Sequence, residues 1–153
     1  MPAKINLAVP AKLEREIITR AKAMFPRESF AYILGTIAGD SVHLDELWIP
    51  DDLDQWTSED CVLVQPSWAV DAAAEAKESG LVIVAWLHSH CYLRFEGEGL
   101  MKDRSQSEAD LDCGFQLPIS AICVVQDIGK KRRRLRASVK FWGFTLPVEV
   151  KTV

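Results

Sequence analysis

Apolar and polar residues alternate with two different periods along this chain, and the changes of period mark its elements. From Ala11 to Phe25 the apolar positions Leu13, Ile17, Ala21 and Met24 recur every three to four residues, the spacing that puts them on one face of a helix. Pro10 suits the start, where a missing N–H costs little, and Pro26 ends the segment. Ser29 to Ala38 (SFAYILGTIA) is continuously apolar at strand length. Gly39-Asp40 turns it into a second strand, Ser41 to Ile49, so the two predict a hairpin with a buried first arm. Pro50 to Asp60 is acidic and turn-rich around Trp56, and Cys61 to Val64 predicts a short strand. Pro66 to Ser79 predicts a second helix, opened near proline and closed by Gly80.

Leu81 to Leu87 (LVIVAWL) is the most apolar run of the chain, which marks a central strand, and it leads straight into His88. Cys91 to Arg104 predicts a loop of mixed charge. Ser105 or Ser107 can cap a short helix to about Phe115, with Glu108 and Asp110 in its first turn. Ile119 to Gln126 predicts another buried strand, Asp127 to Arg134 a basic turn, and Leu135 to Val150 one or two strands around Gly143. The sum is an α/β architecture, a single mixed β-sheet flanked by two main helices. A chain of 153 residues is long enough to bury a sizeable core and short enough to be one domain.

Composition narrows the function classes. At 48% hydrophobic and 26% charged, the chain has the make-up of a soluble globular protein. No apolar run approaches membrane-spanning length, and the first residues lack the apolar core and cleavage site of a secretory signal. The expectation is a cytoplasmic protein with no membrane partner. The net charge of −4 argues against nucleic acid as a general partner. Cys61, Cys91, Cys113 and Cys123 form no Cys-x-x-Cys pair and read as free thiols in a reducing compartment. Lys130 to Arg134, with Arg136, reads as the solvated tip of a hairpin or as a docking patch for an acidic partner.

The candidate chemistry is concentrated in His88-Ser89-His90, followed by Ser107-Glu108-Ala109-Asp110, with Glu28 far upstream at the head of an apolar run. In an extended segment residues i and i+2 point to the same side, so both imidazoles can face one point. Two imidazoles and a carboxylate are three ligands, the number a catalytic zinc uses when one position stays open for water. Ser107 stands one helical turn before Asp110 and can reach the same cavity. Thiolate also binds zinc, so Cys91 is a further possible ligand, although a fourth protein ligand would close the site to water.

These residues resemble the JAMM (MPN+, or JAB) zinc peptidases. The family pattern, a glutamate at a strand start, then His-x-His, then Ser-x-x-Asp, reads here as Glu28-Ser-Phe-Ala-Tyr-Ile-Leu-Gly35, His88-Ser-His90 and Ser107-Glu-Ala-Asp110. The resemblance implies the MPN (cytidine-deaminase-like) fold and one catalytic Zn2+ held by His88, His90 and Asp110. It implies that Glu28 takes a proton from water and returns it to the leaving amine. Ser107 would steady the water or the developing oxyanion. The implied substrate is the C-terminal tail of a ubiquitin-like protein or its conjugates, in the manner of compact prokaryotic deubiquitinase-like isopeptidases. Similar proteins occur in bacterial operons with ubiquitin-like components, some in antiphage defence. Processing of a sulfur-carrier or phage-tail protein, and a non-catalytic MPN scaffold, are the alternative readings. The sequence leaves the oligomeric state open. The chain departs from the family pattern in three places: Cys91 replaces a usual proline, Ala31 replaces a common glycine, and the spacer from Cys91 to Gln106 is about nine residues longer than usual. Beside the metal, that spacer is a substrate-reading insertion, a lid, or a surface elaboration.

Overall fold

The helical spacing of Leu13, Ile17 and Ala21 is realised as α1, Ala11–Met24, with those three side chains as its buried face. The computed structural model describes residues 3–92 and 117–153. The second expected helix is α2, Pro66–Glu78, which buries Trp68, Ala72 and Ala76 at the same four-residue interval. Gly80 ends it. With φ at 71°, its N–H meets the Lys77 carbonyl at 3.2 Å, and the Leu81 N–H meets the Ala76 carbonyl at 2.8 Å. These two bonds satisfy the carbonyls left open by the last turn, and the left-handed backbone they need favours glycine.

The strands are β1 (Ile5–Val9), β2 (Phe30–Ala38), β3 (Ser41–Trp48), β4 (Val82–Tyr92), β5 (Ile119–Asp127), β6 (Leu135–Gly143) and β7 (Val148–Thr152). They form one sheet in the order β6-β5-β4-β2-β3-β1-β7. The expected β2–β3 hairpin is antiparallel, as are β2–β4 and β5–β6. Parallel pairing joins β4 to β5 and β1 to both β3 and β7. The sheet is therefore mixed, as the pattern of long apolar runs and two helices predicts.

Only residues 144–147 separate β6 from β7, yet these strands form opposite edges of the sheet. So short a connection requires the sheet to curl until its edges approach at that end. Inside the curl lies α1, packed against β3, β5 and β6, and its apolar face joins Ile33, Val84, Leu87, Cys123 and Val125 in the main core. On the other face a second cluster gathers Phe30, Tyr32, Trp86 and Trp68 beneath α2.

Two details depart from the expected elements. Residues 61–64 form no strand: a single bridge from Thr57 to Val62 is all that pairs there, and Leu63 is exposed because no sheet covers it. The segment Ile5–Val9, which carries no expected element, is a strand whose buried Ile5, Leu7 and Val9 alternate with half-exposed positions. Its partners are distant in sequence, so nothing local announces it.

Regular alternation also breaks at two bulges. In β3, Leu34 pairs with Glu46 and Gly35 with Leu44, leaving Asp45 as the extra residue. Gly35 sits at that irregularity, and a Cβ built on it would lie 2.0 Å from the His43 carbonyl oxygen. Backbone cannot yield as a flexible side chain can. Gly35→Ala is therefore expected to destabilise the fold by about 1–3 kcal/mol, the scale of overpacking a filled site. A lowered urea midpoint with an unchanged m-value is the expected result, and an unchanged midpoint would refute the close approach.

Candidate metal centre

The second bulge builds the site. Across β2 and β4, Ile33 pairs with Ala85 and Leu34 with Ile83, so Val84 is the extra residue of β4. Without it, the odd positions Ile83, Ala85 and Leu87 would share one face. Instead Ile83 packs with Trp86 in the α2-side cluster, while Val84, Ala85 and Leu87 join the core under α1. The extra residue thus re-aims every later side chain of β4, and the even positions Trp86, His88 and His90 take the α2 side.

Here the structure extends the expected strand. β4 does not stop at Leu87. Parallel pairing with β5 carries it through His88, opposite Ile122, and His90, opposite Val124, to Tyr92, opposite Gln126. Both histidines therefore stand within a strand rather than on a loose strand end: β5 pairs with both, and β2 pairs with His88 through Phe30. Their rings converge: His88 Nε2 lies 2.9 Å from His90 Nε2, with centroids 4.8 Å apart and planes tilted by 53°. The Trp86 indole stacks on the His88 ring at 4.8 Å with an interplanar angle of 16°. His88 is buried and His90 half-buried, so solvent reaches the pair from the His90 side.

Glu28 lies two residues before β2. The register that pairs Phe30 with His88 is followed by hydrogen bonds between Ser29 and Ser89, and one more step of the same register would set Glu28 opposite His90. The residue is buried, with 9% of its surface exposed. Its backbone is fixed at both ends: the Glu28 N–H donates to the Ser58 carbonyl at 2.8 Å, and the Thr57 hydroxyl donates to the Glu28 carbonyl. A free loop acid would have no such anchors. The turn at Thr57 and Ser58 carries no sequence signature of a site, so its part in holding Glu28 is visible only in the fold.

Ser89, between the histidines, faces away from them as expected and is fully buried. Its N–H donates to the Ser29 carbonyl at 3.1 Å, and the Ser29 N–H donates to the Ser89 hydroxyl oxygen at 2.7 Å. A side-chain hydroxyl thus replaces the backbone carbonyl that an ordinary antiparallel pair would use, and it ties the histidine strand to the residue that follows Glu28. Ser89→Ala removes the acceptor of a buried N–H, and about 1–3 kcal/mol of stability is expected to go with it. Chemical denaturation measures that loss. A variant as stable as the parent would show that Ser29 simply re-pairs with the Ser89 carbonyl.

The Cys91 thiol lies with the α1-side core, 3.5 Å from the Arg27 carbonyl oxygen and 3.9 Å from the Ser89 hydroxyl. Burial pushes its pKa up to about 11, against a lowering by the Ser89 hydrogen bond, and the charges of Glu28 and Glu59 raise it further. It lies on the opposite face of β4 from the imidazoles, so it is not placed to share an ion with them. Cys61 and Cys123 are free thiols too, whereas Cys113 lies outside the described residues.

Ser107 and Asp110, with the loop and short helix expected between Cys91 and Phe115, lie outside the described residues apart from Cys91 and Tyr92, which belong to β4. Among the described residues no three His, Cys, Asp or Glu side chains form a metal-binding group. The donor pair itself fits a zinc ion. Two nitrogens bound to one tetrahedral zinc at about 2.0–2.1 Å stand ~3.3 Å apart. The observed 2.9 Å is within a small ring rotation of that value. A carboxylate would complete the borderline donor set that zinc takes.

Solved structures share the architecture. A protein of Desulfitobacterium hafniense solved in solution is similar with a TM-score of 0.59 at 16% identity, covering 96% of this chain and 94% of that one. A JAB1/MPN domain protein from Archaeoglobus fulgidus is similar with a TM-score of 0.52 at 18% identity, covering 99% of both chains. At such identities the likeness concerns the fold. No curated protein matches the sequence. The family profile described as prokaryotic homologs of the JAB domain matches residues 10–95, from the start of α1 past the histidine pair. The chain, with its mixed sheet and its two helices on opposite faces, belongs to that family of prokaryotic homologs of the JAB domain.

Proposed function

We propose that the protein is a zinc-dependent peptidase or isopeptidase that hydrolyses the bond after the C-terminal tail of a ubiquitin-like protein. The observation that carries this reading is the convergence of His88 Nε2 and His90 Nε2 on a strand that Ser89 ties to Ser29, the neighbour of the buried Glu28, in a chain of the JAB family. His88 and His90 would hold the ion through Nε2, and Asp110 through its carboxylate. Zinc, when bound, supplies Lewis acidity that polarises a carbonyl and lowers the pKa of water. Glu28 accepts a proton on a carboxylate oxygen and returns it to the leaving amine. The Ser107 hydroxyl donates to the oxygen on which negative charge develops. Trp86 fixes the His88 ring by stacking, and Ser89 fixes the strand that bears Glu28. Substrate approaches from the half-buried His90 side as an extended tail. A place in a bacterial antiphage pathway follows only from the resemblance of the motif.

The test is incubation of the zinc-loaded protein with a ubiquitin-like protein fused through its C-terminal tail to a reporter, read by mass. Separation at the end of the tail is expected. No cleavage at full zinc loading would favour a scaffold with a structural metal, and undiminished cleavage by Glu28→Ala would overturn the assigned chemistry.

A further inference from the structure

The β5–β6 hairpin concentrates positive charge to a degree nothing else in the protein matches. Lys130, Lys131, Arg132, Arg133, Arg134 and Arg136 all stand exposed on it, with no acidic residue among positions 130–136. The whole chain has 18 basic and 22 acidic residues, so outside these six the protein holds 12 basic groups against 22 acidic ones, a net charge of −10. A strongly acidic body therefore carries one basic projection.

That projection is held in shape. The Asp127 carboxylate accepts from the Gly129 N–H at 2.9 Å and the Arg134 N–H at 3.1 Å, and the Ile128 N–H meets the Arg134 carbonyl at 2.8 Å. At Gly129 a Cβ would lie 1.7 Å from the Arg132 carbonyl oxygen, so the turn is tight. The Arg133 guanidinium rests 5.1 Å from the centroid of the Phe25 ring, which braces the tip against the end of α1. Holding like charges together on an ordered turn costs free energy. Lys131, Arg132, Arg134 and Arg136 form no ion pair among the described residues. Among the described residues nothing relieves the repulsion of these four, and an acidic partner would.

Parallel pairing fixes where the hairpin points. His90 pairs with Val124 and Tyr92 with Gln126, so β5 runs beyond the histidine pair in the same direction as β4 and the basic tip crowns the same end of the sheet. We propose that this hairpin is a docking site for an acidic surface on the protein substrate, resting on the peptidase reading for what that partner is. A compact acidic patch fits better than nucleic acid. The acidic body would repel an extended polyanion, whereas a local patch meets only the tip. Such docking holds the body of the substrate while its tail lies at the histidines, so it acts on KM and leaves kcat alone.

Two peptides test this, each with the same ubiquitin-like tail ending in an aminomethylcoumarin amide, one carrying a run of glutamates before the tail and the other the same run of glutamines. The wild type is expected to show a KM about tenfold lower for the glutamate peptide, equivalent to about 1.4 kcal/mol. The difference should shrink at high salt. The K131Q/R132Q/R134Q/R136Q variant should lose the difference while hydrolysing the glutamine peptide as the wild type does. A variant that keeps the preference, or a preference insensitive to salt, overturns the docking site. If the wild type cleaves neither peptide, the peptidase reading fails by itself. Fluorescence anisotropy of the labelled glutamate peptide then decides docking: about tenfold weaker binding by the variant supports it, and equal binding overturns it. Tighter hairpin-dependent binding of a short DNA duplex than of the glutamate peptide also overturns it, in favour of nucleic acid.

Discussion

Glu28→Gln is expected to remove about 10²–10⁴ of the hydrolytic kcat, the range that one positioned general acid–base group contributes. Glutamine keeps the volume and shape of the side chain, so the buried position is filled as before. It cannot take a proton at the atom where glutamate does. The anchors of this residue are backbone atoms, the N–H on Ser58 and the carbonyl under Thr57, and neither is touched by the substitution. Fold and zinc content are therefore expected to match the parent, with KM little changed and the whole loss in kcat. Glu28→Ala would lose activity too, but it opens space in a buried site and mixes stability with chemistry. The measurement is steady-state kinetics on the tail fusion, beside metal analysis and a thermal melt of the same preparations. A kcat within a few-fold of the parent would remove Glu28 from the chemistry. Loss of zinc in parallel would instead make it part of the metal's own environment.

That prediction starts from a residue the sequence marks only by its place at the head of SFAYILG, and the structure explains why place is informative. The long apolar runs of β2, β4 and β5 are legible because a strand buried on both faces has no polar side. The helices are legible from Leu13, Ile17 and Ala21 and from Trp68, Ala72 and Ala76, since each buries one stripe. β1 is not legible. Five residues of alternation at Ile5, Leu7 and Val9 gain meaning only from β3 and β7, and that pairing is non-local.

The histidine pair shows where sequence reasoning reaches and where it ends. Alternation correctly puts His88 and His90 on one side and Ser89 on the other. It does not say which side of the sheet, because that depends on the extra residue Val84, and a bulge leaves no composition signal in VIVAWL. It is also blind to Ser89 acting as a hydrogen-bond acceptor for the neighbouring strand, since a serine between two histidines reads as a spacer. The extension of β4 to Tyr92 depends on β5 running parallel beside it. A strand's length is set by its partners as much as by its own residues.

Zinc is expected to raise the melting temperature of the parent protein and to leave that of His90→Ala unmoved. An ion that binds only the folded state stabilises it by about 2.7 kcal/mol when its free concentration is a hundred times Kd. In a chain of this size each kcal/mol moves the midpoint by about 2–4 °C, so a rise of roughly 5–11 °C follows. His90 is the better member to remove. It is half-buried, whereas His88 is packed under Trp86 and its truncation would leave a hole that lowers stability by itself. Without metal, two ring nitrogens 2.9 Å apart must share a proton, one donating and the other accepting. Zinc takes the place of that proton, which a neutral imidazole can carry on its other ring nitrogen, so the hydrogen bond and the ion exclude one another. Differential scanning calorimetry with and without zinc reads the effect. An equal rise in His90→Ala, or no rise in the parent at saturating zinc, would mean that the converging imidazoles are a hydrogen-bonded pair of the core and the metal centre lies elsewhere or nowhere.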